Sequence, residues 1–236
     1  MQNYCKTIGA LAAASALVAG NASAEVEYEI HTGYSSEYLW RGIDLGDDLV
    51  ELGLDVATEY NGVGLSAGLW AAAFDSSSTI YGATGNDIDN EVDFYGEASY
   101  DFGFLTGAVG YIYYWNVASL GNDAQEVYFS ASRDFGWANV SMAYYWDVDG
   151  DNDGYSTLGL SRSWELNSCL TLNVGTNVDY FWEGTDFGSW TTKASLDWGF
   201  VENAKLSPFV ALAVDLADKQ GLDDELVAGS MLSVSF

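Results

Sequence analysis

The chain has 236 residues, 35 of them acidic and 7 basic, for a formal net charge of −28. Such a surface repels phosphate and attracts cations, which excludes nucleic acid as a partner. The 15% aromatic content is too high for an acidic disordered chain, and 26 Gly with a single Pro suits long antiparallel strands.

At the amino terminus Lys6 supplies a positive flank, Ile8 to Val18 a short apolar run and Ala22-Ser23-Ala24 a small-x-small cleavage site. The run is shorter than the roughly 20 residues of a membrane helix. A cleaved secretory signal peptide is expected over 1–24, with one domain over 25–236; the alternative is an uncleaved anchor. Cys5 leaves with the signal peptide and a single cysteine, Cys169, remains, which excludes a secreted domain stapled by internal disulfides.

Alternation bounded by turn residues then predicts twelve strands: 26–41, 49–60, 63–74, 91–103, 104–116, 124–136, 138–148, 154–166, 169–182, 188–200, 205–217 and 225–236. The connections at Asn61-Gly62, Gly103, Phe135-Gly136-Trp137, Asn167-Ser168 and 201–204 are short. Those at 42–48, 75–90, 117–123, 147–153, 183–187 and 218–224 are longer. Short and long alternate, as short periplasmic turns alternate with external loops in outer-membrane barrels with both termini periplasmic. No segment after the signal peptide is apolar enough for a membrane helix, so a spanning chain must close as a barrel.

Parity separates two faces. In 169–182, Leu170, Leu172, Val174, Val178, Tyr180 and Trp182 oppose Asn173, Asn177 and Asp179. Alternation alone does not say which face is inside. The aromatics decide it. Tyr38, Trp40, Tyr113, Trp115, Tyr144, Trp146, Tyr180, Trp182 and Trp190 sit at strand ends beside the long connections. Tyr60, Tyr100, Phe102, Phe135, Trp137, Trp164, Trp198, Phe200 and Phe236 sit beside the short ones. Two aromatic rings are what two membrane interfaces select, so the apolar face is expected outside. The same parity puts Arg133 and Arg162 on the lipid side, snorkelling to inner-leaflet phosphates, unless a bulge turns them inward.

The last segment, ELVAGSMLSVSF, keeps Leu226, Ala228, Ser230, Leu232, Val234 and Phe236 on one face and ends on an aromatic. It resembles the carboxyl-terminal signal by which outer-membrane barrels engage the barrel-assembly machinery, so that machinery and the outer-membrane bilayer are the expected partners. Residues 31–75 carry a narrower likeness. Ser36, Tyr38, Arg41 and Gly42 match an S-x-Y-x-x-RG opening strand, and Gly64, Gly68 and Trp70 a G-x-x-x-G-x-W strand. In these the chain resembles the TorF family of porins, which implies an all-β, membrane-spanning, up-and-down barrel with porin-like activity. Where that family carries a Pro in the first loop, this chain has Asp47-Asp48.

The inward face collects Glu27, Glu29, Glu51, Asp55, Glu59, Asp93, Glu97, Asp179, Asp197 and Asp215, with Lys193 the chief base and Arg41 near the upper rim. Carboxylate rings favour cations. The expected function is passive diffusion of small, cationic or neutral solutes. The alternative is a barrel plugged by paired side chains, with its acidic loops serving surface stability or adhesion. Twelve strands lie between filled barrels of roughly eight strands and open porins of roughly sixteen. His31, the chain's single histidine, falls on the inward parity. A lipid-hydrolysing barrel needs a His–Ser pair facing lipid, so no enzyme is expected. No phosphate loop, zinc spacing or nucleotide motif appears, and no cofactor is expected beyond one weak option. Asp149, Asp151, Asp153 and Gly154 match the first half of a calcium loop, but Leu160 stands where that loop needs Glu. A solvated acidic turn and weak calcium binding both remain open there.

Overall fold

A strand sends successive side chains to opposite faces, so alternating residues bounded by Gly, Asn and Asp turns build a two-faced sheet. A computed structural model describes residues 26–76, 87–117, 123–150, 153–216 and 224–236. The expected signal peptide lies outside the described residues, as does Asp151. Twelve antiparallel strands follow in order: β1 (Glu27–Trp40), β2 (Ile43–Tyr60), β3 (Val63–Ser76), β4 (Asp87–Asp101), β5 (Thr106–Asn116), β6 (Ala124–Asp134), β7 (Asn139–Asp147), β8 (Tyr155–Asn167), β9 (Leu170–Phe181), β10 (Asp186–Val201), β11 (Ala204–Asp215) and β12 (Glu225–Ser235). Each pairs with its neighbours in sequence, and β1 pairs with β12, so the sheet closes as an up-and-down barrel. The terminal residue completes the seam: the Phe236 N–H donates to the Tyr28 carbonyl at 2.9 Å, and the Tyr28 N–H donates back at 3.4 Å. Among the described residues every regular element is a strand.

Closure leaves no unpaired sheet edge, the condition a hydrocarbon solvent imposes. The outer face meets the same solvent. Leu52, Leu54, Phe94, Phe129, Leu158 and Val210 are exposed there, and their uncovered apolar surface continues around the barrel, as lipid contact requires. Rims of exposed aromatics bound it. Trp115, Trp146, Trp182 and Trp190 lie at one end. Tyr60, Tyr100, Phe102, Phe135, Trp137, Trp164, Trp198, Phe200 and Phe236 lie at the other. The register keeps Arg133 and Arg162 outside, opposite Val140 and Val174. Each guanidinium lies over the aromatic two residues on, 4.9 Å from the Phe135 ring and 5.5 Å from the Trp164 ring. Arg162 also donates to the Trp137 carbonyl.

The strand boundaries match the alternation closely except in the first hairpin and at the top of β3 and β4, where Asp87 to Asn90, expected in the 75–90 connection, pair with Ala73 to Ser76. The connection expected over 42–48 is strand, because β1 and β2 run on together until Trp40 pairs with Ile43. Only Arg41 and Gly42 remain to turn, with φ of 53° and 77°. Two central residues of positive φ make the two-residue turn whose twist suits a hairpin. The same geometry occurs at Asn61-Gly62, with φ of 53° and 79°.

The lipid contact is directly testable. Leu54→Arg puts a charge on the outer face near the middle of β2 and is expected to cost about 2–4 kcal/mol of stability in vesicles. Ser161→Arg, facing the lumen, is expected to cost far less. Urea titration of tryptophan fluorescence checks this; equal losses would contradict the assignment of faces.

Candidate functional site

The upper part of the β1–β2 hairpin does not continue the barrel wall. Register shifts between Glu37 and Leu39, and between Asp47 and Val50, break the ladder on both of its strands. Such irregularities bend a strand and redirect its side chains. Tyr38 is therefore only 7% exposed and packs inside with Leu49 and Ala72, 5.6 Å from the Trp70 ring and 5.0 Å from the Phe74 ring. Trp40 joins this cluster. Neither belongs to the upper aromatic ring in which strict alternation places them; the irregularity at Glu37–Leu39 reverses their parity.

The turn then carries Arg41 across the lumen. Its guanidinium donates two hydrogen bonds to Glu126 of β6, at 2.8 and 2.5 Å. It stacks 4.2 Å from the Trp40 ring, 4.6 Å from Tyr145 of β7 and 4.2 Å from Tyr155 of β8. The Tyr114 hydroxyl of β5 donates to the same Glu126 carboxylate at 2.9 Å. A bidentate, charge-assisted pair is geometrically specific, and aromatic faces add favourable contacts to a guanidinium. The ion pair is shielded, with side chains 11% and 7% exposed, so removing one partner strands the other charge at a cost of about 3–5 kcal/mol. Gly42 sits on Ser189 of β10; a Cβ there would lie 2.0 Å from the serine Oγ. The tip thus reaches four strands of the far wall. A cavity of about 390 Å³ adjoins it, lined in part by Arg41, Tyr155, Thr157, Asn177, Asp179 and Thr191.

The inward acids are mostly hydrogen-bonded. Glu51 accepts from the Trp70 indole at 2.6 Å, Asp55 from the Tyr95 hydroxyl at 2.5 Å and Glu97 from the Tyr128 hydroxyl at 2.8 Å. Asp179 is fully buried and accepts from Asn177 and Ser189. Asp197 lies 3.7 Å from Lys205, and Lys193 lies over the Phe209 ring at 3.9 Å. Asp93 is buried, with one carboxylate oxygen lacking a partner among the described residues. Glu59 is inward opposite Gly64, and Asp215 is inward opposite Ser189 at the upper end. On the β8 and β10 side the inward face is open: Ser161, Ser163, Glu165 and Lys193 are exposed.

In the acidic connection after β7, Asp147 accepts the N–H groups of Asp149 and Gly150, and Asp149 accepts from Gln125 at 2.6 Å. Asp153 takes a positive φ of 51°. The Asp147 carboxylate thus serves turn geometry, while that of Asp149 reaches across to β6. The expectations from sequence do not include Glu126, Tyr145 and Tyr155, the partners of Arg41, or Tyr114, which donates to Glu126. All four have inward parity at upper strand ends, which was the available signal. Their convergence on one cation comes from the folded-in hairpin.

Because the tip is seated on Ser189, Arg41 is expected to resist trypsin in the folded barrel, and Gly42→Val is expected to unseat the tip and expose the peptide bond that follows Arg41. Mass spectrometry of timed digests reads the difference. Equal, rapid cleavage after Arg41 in both proteins would contradict the seated tip.

Residues 19–199 match the family described as "Bacterial protein of unknown function (Gcw_chp)". A search of curated proteins finds no match. Among solved structures, the chain is similar to the COG4313 outer membrane channel from Pseudomonas putida F1. That likeness has 12% identity and a TM-score of 0.59, over 92% of this chain and 97% of that one. It is also similar to the NanC porin, at 14% identity and a TM-score of 0.55, over 89% and 98%. An active-site mutant of outer membrane phospholipase A from Escherichia coli shares 15% identity and a TM-score of 0.50, over 89% and 90%. At these identities the likeness is one of fold, that of a bacterial outer-membrane β-barrel, and it supports the TorF resemblance at that level. With the match running over most of its length, the chain belongs to the Gcw_chp family.

Proposed function

We propose that the protein is a narrow, porin-like channel of the outer membrane that passes small solutes by diffusion and prefers cations. The observation that carries this reading is the lumen itself. Inside a closed barrel, Glu29, Glu51, Asp55, Asp93, Glu97 and Asp179 all face inward, and such groups attract cations into a low-dielectric passage. The open inward face of β8 and β10 and the cavity beside Arg41 supply space for water and a small solute. The TorF resemblance of the first three strands supports the same reading, and Phe236, exposed at the lower rim, suits delivery by the barrel-assembly machinery. No enzymatic role is part of this reading: His31 faces the lumen opposite Gly53, away from lipid substrates.

One observation favours a second reading, a barrel that does not conduct. The Arg41 tip crosses the upper lumen and is neutralised by Glu126. Planar-bilayer recording in a salt gradient separates the two. The channel reading expects small unitary currents with a reversal potential on the cation side, moving toward zero in Glu97→Gln. Silent wild-type bilayers, with folded protein recovered from them, would favour the non-conducting barrel.

A further inference from the structure

We propose that Glu29, His31 and Asp55 form a divalent transition-metal site on the lumen wall, of the kind that takes Zn²⁺ through one imidazole nitrogen and two carboxylates. Strand register brings the three together. Glu29 and His31 are two apart on β1 and share its inward face, and Asp55 stands directly opposite Glu29 on β2. One ligand atom from each lies within 4.8 Å of the others, and His31 Nδ1 is 3.3 Å from Asp55 Oδ2. Bonds of about 2.0–2.2 Å place tetrahedral ligand atoms about 3.4 Å apart, so the histidine and aspartate are already at that spacing and Glu29 needs only a small side-chain movement. Imidazole with carboxylates is a donor set suited to zinc and its first-row neighbours. Water would complete the coordination, as in other sites with three protein ligands.

Several features go beyond a chance meeting of acids. Two carboxylates directly opposite each other repel unless a cation lies between them. Each proposed carboxylate ligand is held by a second group, as ligands of built sites are. The Tyr95 hydroxyl donates to Asp55 Oδ1 at 2.5 Å, and the Ser235 hydroxyl donates to Glu29 Oε2 at 3.1 Å. Both contacts leave the other oxygen of each carboxylate for the metal. Gly53 gives His31 its seat: the imidazole lies across it, and a Cβ there would come within 2.2 Å of the ring. An independent sign of a missing ligand is Ser233. It stands directly across from His31 on β12, is 3% exposed, and its Oγ has no hydrogen-bond partner among the described residues. A buried hydroxyl without a partner is costly, and a metal-bound water beside His31 is the kind of partner it lacks.

The site does not depend on whether the barrel conducts, so its test is made in detergent. Untagged, folded barrel is titrated with Zn²⁺ alone by calorimetry. The expected result is one equivalent bound by wild type, at least tenfold weaker binding in His31→Gln, and a loss of 10–100-fold in Tyr95→Phe, which keeps every ligand but frees Asp55. Glu165→Gln, a lumenal acid away from the site, is expected to bind as wild type does. Because the chain has a single histidine, Cu²⁺ bound to protein labelled with ¹⁵N-histidine must show the hyperfine pattern of one nitrogen from that ring. This reading needs no variant to fold. No Zn²⁺ binding by wild type, undiminished binding in His31→Gln, or a copper spectrum unaffected by the label would each overturn the proposal.

Discussion

Every backbone N–H and C=O in the spanning part of this chain must find a partner within the protein, because lipid offers none. That constraint makes the β1–β12 seam the contact on which the rest depends. Residues from opposite ends of the chain, Tyr28 and Phe236, exchange hydrogen bonds there, and Glu29 through Ser35 run against Ser235 through Gly229. With the seam closed, the period-two pattern of every strand acquires one meaning: apolar to lipid, polar to lumen. Without it, twelve amphipathic strands would present an open edge in hydrocarbon. The acidity of the chain is compatible with a membrane only because closure separates the lumen from the bilayer.

Inside, the problem inverts. Carboxylates crowd a narrow space with few bases, and hydrogen-bond donors on neutral side chains take much of the load. Tyr95, Tyr128, Trp70 and Ser189 each donate to an inward acid. The main cation inside the upper barrel is Arg41, delivered by a hairpin that leaves the wall. Its position follows from two local causes, the irregularities that bend β1 and β2 and a turn whose positive φ values favour Gly at position 42. The hairpin tip therefore does two things at once. It neutralises Glu126 and fills the upper lumen with a stack of rings.

Much of this was legible in the sequence because the underlying signals are local and repeated. Twelve alternating segments, short turns such as Asn61-Gly62, and the rim aromatics recur often enough to define a membrane barrel and its faces. Parity also placed Glu51, Asp55, Asp93, Glu97 and Asp179 on the inward face, where the structure has them. Tyr38 and Trp40 read as rim aromatics because a bulge shifts parity by one residue and leaves no mark in composition. The 42–48 segment read as a loop because Asp47-Asp48 resembles turn sequence, whereas cross-strand pairing of β1 with β2 makes it strand. The convergence of Tyr114, Glu126, Tyr145 and Tyr155 on Arg41 spans as many as 114 residues of sequence (Arg41 to Tyr155), so no window-based pattern contains it.

The Arg41–Glu126 pair bridges the upper lumen. A charge-swap cycle tests it most directly, with channel conductance measured for Arg41→Glu, Glu126→Arg and the double variant. If the bridge is the constriction, each single change, which places two like charges together, raises conductance, and the double variant returns toward wild type by restoring an opposite pair. Equal conductance in all four proteins, or two single effects that simply add in the double variant, would contradict it.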